Sequence, residues 1–323
     1  MRYVSSDKIL GASWYSLNEN ELFSDRLFFS RMRYPSIVLP EDSPDGSYHM
    51  FTSSFFFLNH YTSTTALEWK KKDFFSPYTH SPQLYREGGV YYMLSESHDR
   101  QMESRKTKDV TKRGSKIYLS QSSDLDKWTE ESVVLDAKKI SQASFRQRPS
   151  RIYGAHIVPW NGRYRIYFGA GDVCLFDSKV KVSSVLMYAE SQFIEGPYKV
   201  NAQPVLSIAP DSAYMNLAVG HCFVYPCSDA LILIAASQYF DKKEKRSRSA
   251  LLLFISRDGN EFSFVRPLFF LPDTPWANIA ITSSCLIYVA EDDSFYLYYT
   301  ASGRRKRMLP KAECMGLLIG RCL

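Results

Sequence analysis

The sequence predicts an all-β protein, a five-bladed β-propeller of four-stranded antiparallel blades. Three observations predict it. A unit made of a short apolar strand, a turn and a second, aromatic-rich strand recurs five times along the 323 residues. A second pair of strands follows most of these hairpins. The units repeat at roughly sixty residues, and radial repetition of such sheets protects their edges.

The five hairpins read RYPSIVLPEDSPDGSYHMFTSS, HSPQLYREGGVYYMLSES, RPSRIYGAHIVPWNGRYRIYFGAG, VGHCFVYPCSDALILIAAS and ITSSCLIYVAEDDSFYLYYTAS. Their first strands are rich in β-branched and aromatic residues, and the turns are marked by Pro-Asp-Gly, Gly-Gly, Asn-Gly or Asp-Asp. The outer pairs are KIYLSQSSDLDKWTEESVVL, SVLMYAESQFIEGPYKV and SALLLFISRDGNEFSFVRPLFF in the second, third and fourth units. After the fifth hairpin only CMGLLIGRCL remains, so a strand from ILGASWYSL or ELFSDRLFF is expected to complete that blade and close the ring. Two β-sandwiches are the alternative, but they would not repeat hairpin plus hairpin at this spacing. No helical periodicity and no linker stand out, so residues 1–323 read as one domain.

Composition fits that fold. Hydrophobic residues at 45% and aromatics at 15% supply a core, and 23% charged residues supply an ordinary surface, which excludes a disordered chain. The first residues, MRYVSSDKILGASWYSL, lack the apolar run of a secretory signal, and no later run approaches bilayer length. A cytoplasmic protein with no membrane partner is expected. Cys174, Cys222, Cys227, Cys285, Cys314 and Cys322 lack the paired spacings of zinc or redox motifs, so free, mostly buried thiols are expected, with no metal ligand set and no cofactor.

Charge is distributed unevenly. In an up-and-down blade, the loop between second and third strands lies on the face where the inner strand begins. Three such loops, HDRQMESRKTKDVTKRGSK, DKKEKRSR and GRRKRMLPK, hold seventeen basic and five acidic residues, an excess of +12 against +6 for the whole chain. The remainder is therefore at −6. Such loops singly are solvated hairpin tips; three on one face make a mouth that attracts anions. The expected partner is a small-molecule or glycan ligand of anionic character. Nucleic acid is not expected, because no aromatic stacking platform adjoins Arg304 to Arg307.

Several inner strands begin with Pro followed by a hydrophobic residue two places on: Tyr34-Pro35-Ser36-Ile37, Ser81-Pro82-Gln83-Leu84 and Arg148-Pro149-Ser150-Arg151 in the third unit's variant. With the Gly88-Gly89-Val90-Tyr91-Tyr92 turn, the SQSSDLDKW segment and the Gly220-His221 pair, the chain resembles the five-bladed propeller glycosidases over nearly its whole length. These are glycoside hydrolases of family 43 and their fructan-cleaving and mannoside-phosphorolysing relatives. The resemblance implies carboxylates at the inner-strand starts, one to protonate the leaving oxygen and one to activate water or attack. Other side chains stand there: Tyr34 before the first Pro, Gln83 after the second, Gln147 and Arg148 at the third, and Asn216 and His221 in the fourth unit.

That substitution defines the candidate residues. Arg33, His80, Gln83, Arg146, Arg148, Asn216, His221 and Asn278 at or near inner-strand starts suit an anion, since arginine offers a planar fork and histidine a donor near neutral pH. The competing role for each is structural pairing with acids such as Asp25 or Asp45. Trp276 in DTPWANIA is placed to stack on a sugar ring or to pack in the core. Acid or base must come from elsewhere on the same face, and Glu96 in LSES, Asp172 in GAGD and Asp241 after AASQYF are the catalytic candidates. The function expected is a glycosidase-like enzyme acting on an anionic glycosyl compound: a sugar phosphate, nucleotide sugar or acidic glycan. The alternatives are a non-catalytic, lectin-like propeller and an enzyme using the fold for a cyclisation, elimination or isomerisation.

Overall fold

The computed structural model describes residues 3–17, 22, 32–54, 57–75, 79–97, 114–143, 151–303 and 312–322. Five antiparallel sheets make the five blades. The first contains β2 (Arg33–Val38), β3 (Tyr48–Ser53), β4 (Leu58–Ser63) and β5 (Lys70–Phe75); the second β6 (His80–Glu87), β7 (Val90–Ser97), β8 (Lys116–Ser122) and β9 (Ser132–Asp136). The third contains β10 (Ile152–Trp160), β11 (Arg163–Cys174) and β12 (Lys181–Ser191), with an outer strand divided into β13 (Lys199–Val200) and β14 (Leu206–Ser207), both paired to β12. The fourth is β15 (Ala218–Pro226), β16 (Leu231–Asp241), β17 (Arg246–Ser256) and β18 (Ser263–Phe270).

The fifth blade closes the ring. β1 (Ser13–Ser16) pairs antiparallel with β21 (Ala312–Arg321), outside β20 (Ser294–Gly303) and β19 (Ala280–Val289), so ILGASWYSL supplies the expected strand. A six-residue helix, α1 (Ser6–Gly11), precedes it. It corrects the expectation of no helix, being too short to leave a periodic trace, and Ser5 caps it by accepting from the Asp7 N–H at 3.2 Å. Helix and strand are bound to the fourth blade. Ser6 donates to Asp229 through N–H (2.8 Å) and hydroxyl (2.6 Å), and Arg266 Nη2 donates to the Leu10 (3.0 Å) and Ala12 (2.8 Å) carbonyls.

Burial explains the strand compositions. A middle strand is covered on both faces by neighbouring blades, so it reads as a continuous apolar run rather than an alternation, as LILIAAS of β16 and FYLYYTAS of β20 do. The core is accordingly divided among the blade interfaces. Between the fourth and fifth blades, Ile232, Ile234, Leu251 and Leu253 pack with Phe295, Leu297 and Tyr299. The outermost β5 is exposed along almost its whole length. The Ser-Asp segments prove to be turns between third and fourth strands: Asp124 Oδ1 accepts from the Asp126 (2.9 Å) and Lys127 (2.8 Å) N–H groups, and Asp258 Oδ1 accepts from those of Asn260 (2.8 Å) and Glu261 (3.1 Å). No disulfide forms: Cys222, Cys227, Cys285 and Cys314 are buried, Cys322 half-buried and Cys174 exposed. Among the described residues no helix is long and apolar enough to cross a membrane, and no group of three His, Cys, Asp or Glu is placed to hold a metal ion.

Candidate functional site

Every inner strand has a bulge or register shift near its start. The irregularities fall between Arg33 and Ser36, His80 and Gln83, Tyr153 and His156, Ala218 and His221, and Ile281 and Ser283. A bulge bends the strand and re-aims its side chains, here toward the propeller axis. Tyr34 (φ 54°), Ser81 (φ 55°) and Gly154 (φ 54°) occupy the same place in their bulges, all left-handed. This equivalence corrects the third unit: its counterpart of Tyr34-Pro35 and Ser81-Pro82 is Gly154-Ala155, six residues beyond Arg148-Pro149. None of the three equivalent residues is a carboxylate, as the sequence indicates.

The bulges are tied to the preceding blade by one repeated device. Tyr34 N–H donates to Ser283 Oγ (2.9 Å), Ser81 N–H to Ser53 Oγ (2.6 Å) and Gly154 N–H to Glu96 Oε2 (2.8 Å). Glu96 pairs across β6 and β7 with His80, as Ser53 pairs with Arg33 across β2 and β3. A carboxylate thus stands where a serine would suffice for the backbone. Glu96 is only 1% exposed.

Around Glu96 the axis is crowded with polar groups. The Tyr34 ring meets His221 edge-on at 5.3 Å, and both approach Gly154, where a Cβ would lie 2.6 Å from His221 Cδ2 and 3.7 Å from Tyr34 Cε1. His221 Nδ1 accepts from the Ser284 N–H at 3.4 Å, which leaves the proton on Nε2, a buried donor with no hydrogen-bond partner among the described residues. Burial first, then the neighbouring His156, holds the imidazole's pKa down to about 3, so it is neutral. Burial and then Glu96 raise the Tyr34 phenol far above its ordinary value, keeping it protonated.

Two further carboxylates arrive from other strands. Arg33 is ion-paired with Glu313 of β21, itself 4% exposed. Burial opposes the guanidinium charge, but Glu313 and other neighbours outweigh it, and the pKa is raised. Asp172 Oδ1 accepts from the Tyr153 hydroxyl at 3.0 Å, and burial followed by Asp172 raises that phenol. The described centre therefore holds Glu96, Glu313, Asp172, Arg33, two neutral tyrosines and a neutral histidine. It can bind sugar hydroxyls and, with more than one carboxylate, separate the roles of acid and base.

The remaining sequence candidates are spread more widely. His80 lies beside Glu96 in register. Gln83 is two residues beyond the second bulge's left-handed Ser81 and lines a cavity on the axis. Asn216 bridges a loop, donating to the Ser212 carbonyl (3.1 Å) and accepting from the Phe240 N–H (2.9 Å). Asp241 closes a turn by accepting from the Lys243 (2.9 Å) and Glu244 (3.0 Å) N–H groups. Trp276 is 6% exposed and stacks on Tyr299 at 6.0 Å in the core between the fourth and fifth blades, with Asn278 two residues on. Arg146, Arg148 and Asp25 lie outside the described residues, as do 98–113 and 304–311 of the basic loops. Sequence reading did not single out Glu313 or Tyr153; the one signal for Glu313 is a lone acid in the apolar run AECMGLLIG.

No protein-family model matches the chain, and no curated protein sequence matches it. Solved structures do. Zg3597, a family 117 glycoside hydrolase of the marine bacterium Zobellia galactanivorans, superposes with a TM-score of 0.60 at 11% identity, covering 98% of this chain and 92% of that one. The endo-arabinase of Bacteroides thetaiotaomicron gives 0.54 at 14% identity, covering 91% and 96%. Xylan β-1,4-xylosidase of Bacillus halodurans gives 0.56 at 12% identity and 91% coverage of this chain, which spans 54% of that longer protein. The chain has the five-bladed fold of these propeller glycoside hydrolases. At such identities the likeness is one of fold.

Proposed function

We propose that the protein is a glycosidase-like, carbohydrate-active enzyme working at the inner-strand starts on an anionic glycosyl compound: a sugar phosphate, nucleotide sugar or acidic glycan. The observation that carries the proposal is the buried carboxylate Glu96 on the axis, beside His221 and Tyr34. Glu96 is the acid or base at the glycosidic oxygen, and Asp172 is the second carboxylate, its orientation fixed by the Tyr153 hydroxyl. His221 Nε2–H donates to a substrate oxygen. Arg33, held charged by Glu313, contributes the positive potential inside the centre. The basic loops that the sequence leads us to expect on this face, seventeen basic against five acidic residues, are the source of the proposed preference for an anion.

The test is turnover of a panel of sugar phosphates, nucleotide sugars, uronic-acid glycosides and their neutral counterparts. Wild-type protein is expected to cleave an anionic member, and Glu96→Gln to lower kcat by about 10²-fold or more. Full activity of both Glu96→Gln and Asp172→Asn would overturn the catalytic assignment. One observation favours a lectin-like reading as the alternative: Glu96 anchors the Gly154 N–H just as Ser53 anchors that of Ser81. Under that reading the panel gives saturable binding without turnover.

A further inference from the structure

Away from the axis, the face on which the inner strands begin presents two phenylalanines whose exposure packing does not explain. Phe176, in the connection between β11 and β12, is 88% exposed, the most of any large apolar side chain among the described residues. Its loop is nevertheless fixed. Leu175 N–H donates to the Val180 carbonyl and Lys179 N–H to that of Leu175, both at 2.9 Å, while Asp177 reaches the fourth blade and accepts from the Ser247 N–H and hydroxyl, both at 2.6 Å. Ser247 stands opposite Phe240 in the β16 and β17 register, where facing Cβ atoms are roughly 5 Å apart. Phe240 is 44% exposed. Two exposed rings thus flank one junction of the third and fourth blades, on backbone that hydrogen bonds hold in place.

The charge around them is predominantly positive. Residues 174–181 and 240–247 hold six basic and three acidic side chains. Each acid is engaged: Asp177 serves Ser247, Asp241 accepts from the Lys243 and Glu244 N–H groups, and Glu244 lies 3.8 Å from Arg246, which also pairs with Asp273 at 2.8 Å. Lys179 places its Nζ 4.4 Å from the centre of the Phe176 ring, a cation–π contact. Lys242, Lys243 and Lys245 are exposed and have no ion-pair partner among the described residues.

We propose that this junction is a binding rim for an acidic polysaccharide, with sugar rings on Phe176 and Phe240 and anionic groups at Lys179, Lys242, Lys243 and Lys245. The large apolar side chains exposed at the junction are rings without exposed aliphatic neighbours, which suits the C–H face of a sugar better than the mixed apolar core of a protein contact. Lysines without carboxylate partners suit a chain that carries charge on successive rings. Asp172 lies four residues before Phe176 on the same hairpin, at most about 14 Å along the chain, further than one sugar reaches. The proposed function supplies the glycosyl class of the ligand, which the rim commits to a polymer; the rim's own contacts do not involve Glu96.

Hexagalacturonate, charged on every ring, and its fully methyl-esterified form, with the same rings uncharged, are the probes. Binding to the full chain is followed by calorimetry, and product formation is followed separately. Hexagalacturonate is expected to bind saturably and about tenfold more tightly than the ester. Phe176→Ala and Phe240→Ala, whose thermal unfolding is checked first, are each expected to weaken both forms about threefold to tenfold. Lys242→Gln, Lys243→Gln and Lys245→Gln together are expected to weaken only the charged form. Saturable binding without product, weakened by the phenylalanine variants, would remove the catalytic assignment and support the rim. Wild-type affinity in both phenylalanine variants, no saturation by either probe, or polyglutamate bound as tightly as hexagalacturonate would overturn the proposal.

Discussion

Replacing Gly154 by alanine tests whether the axial centre is assembled as described. Gly154 has φ 54°, where an L side chain costs about 1–2 kcal/mol. The added Cβ would stand 2.6 Å from His221 Cδ2 and 2.9 Å from Nε2, closer than real Cβ contacts allow. That ring is 9% exposed and held against Tyr34, so its displacement costs a further ~1–3 kcal/mol. The expected loss is therefore about 2–5 kcal/mol, read from the urea midpoint at unchanged slope with circular dichroism and tryptophan fluorescence coincident. Only the clash part depends on His221. Added to His221→Ala, Gly154→Ala is expected to cost about 1–3 kcal/mol less than it does alone. Additivity within about 0.5 kcal/mol would refute the packing of His221 on Gly154.

Three further outcomes follow from the same geometry. Burial keeps His60, His156 and His221 neutral, with pKa values lowered to about 3, 4 and 3 from the ordinary 6.5. The unfolded chain then binds more protons below pH 6.5, so stability is full above that value and falls as pH drops toward 4, by up to roughly 4 kcal/mol per unit for three sites; an unchanged urea midpoint between pH 7.5 and 5 would contradict this. Deleting residues 1–17 removes β1 from the edge of β21 and the Ser6 to Asp229 bonds, and is expected to lower the melting temperature and promote aggregation, checked by calorimetry and light scattering. In a thiol titration of native protein, Cys174 should react first and Cys222 and Cys285 only on unfolding, because burial raises both thiols, Cys285 to about 12.

Repeated patterns were the most legible part of the chain. Hairpins, blade order and closure by an N-terminal strand follow from local composition and period, because each blade repeats one solution to burying a sheet on both faces; the pairing of SWYS with β21 chose between the two candidate segments. The places of Glu96 and Asp172 near the ends of second strands were legible, because they can be read from the meander. Glu313 was not: it meets Arg33 only through closure of a ring across 280 residues. The third inner strand was read too early because Arg148-Pro149-Ser150 imitates the proline starts of the first two units, whereas a left-handed Gly154 followed by Ala155 forms its bulge. No local pattern separates a proline at a bulge from one before it.

The most direct test of the account is difference density from crystals soaked with sugar phosphates, nucleotide sugars and uronic-acid glycosides. The account predicts a glycosyl ring at the inner-strand starts within hydrogen-bond reach of Glu96 and His221 Nε2, displaced by Glu96→Ala. Ligand bound only on the outer blade surfaces, or no ligand at millimolar concentration, would contradict it.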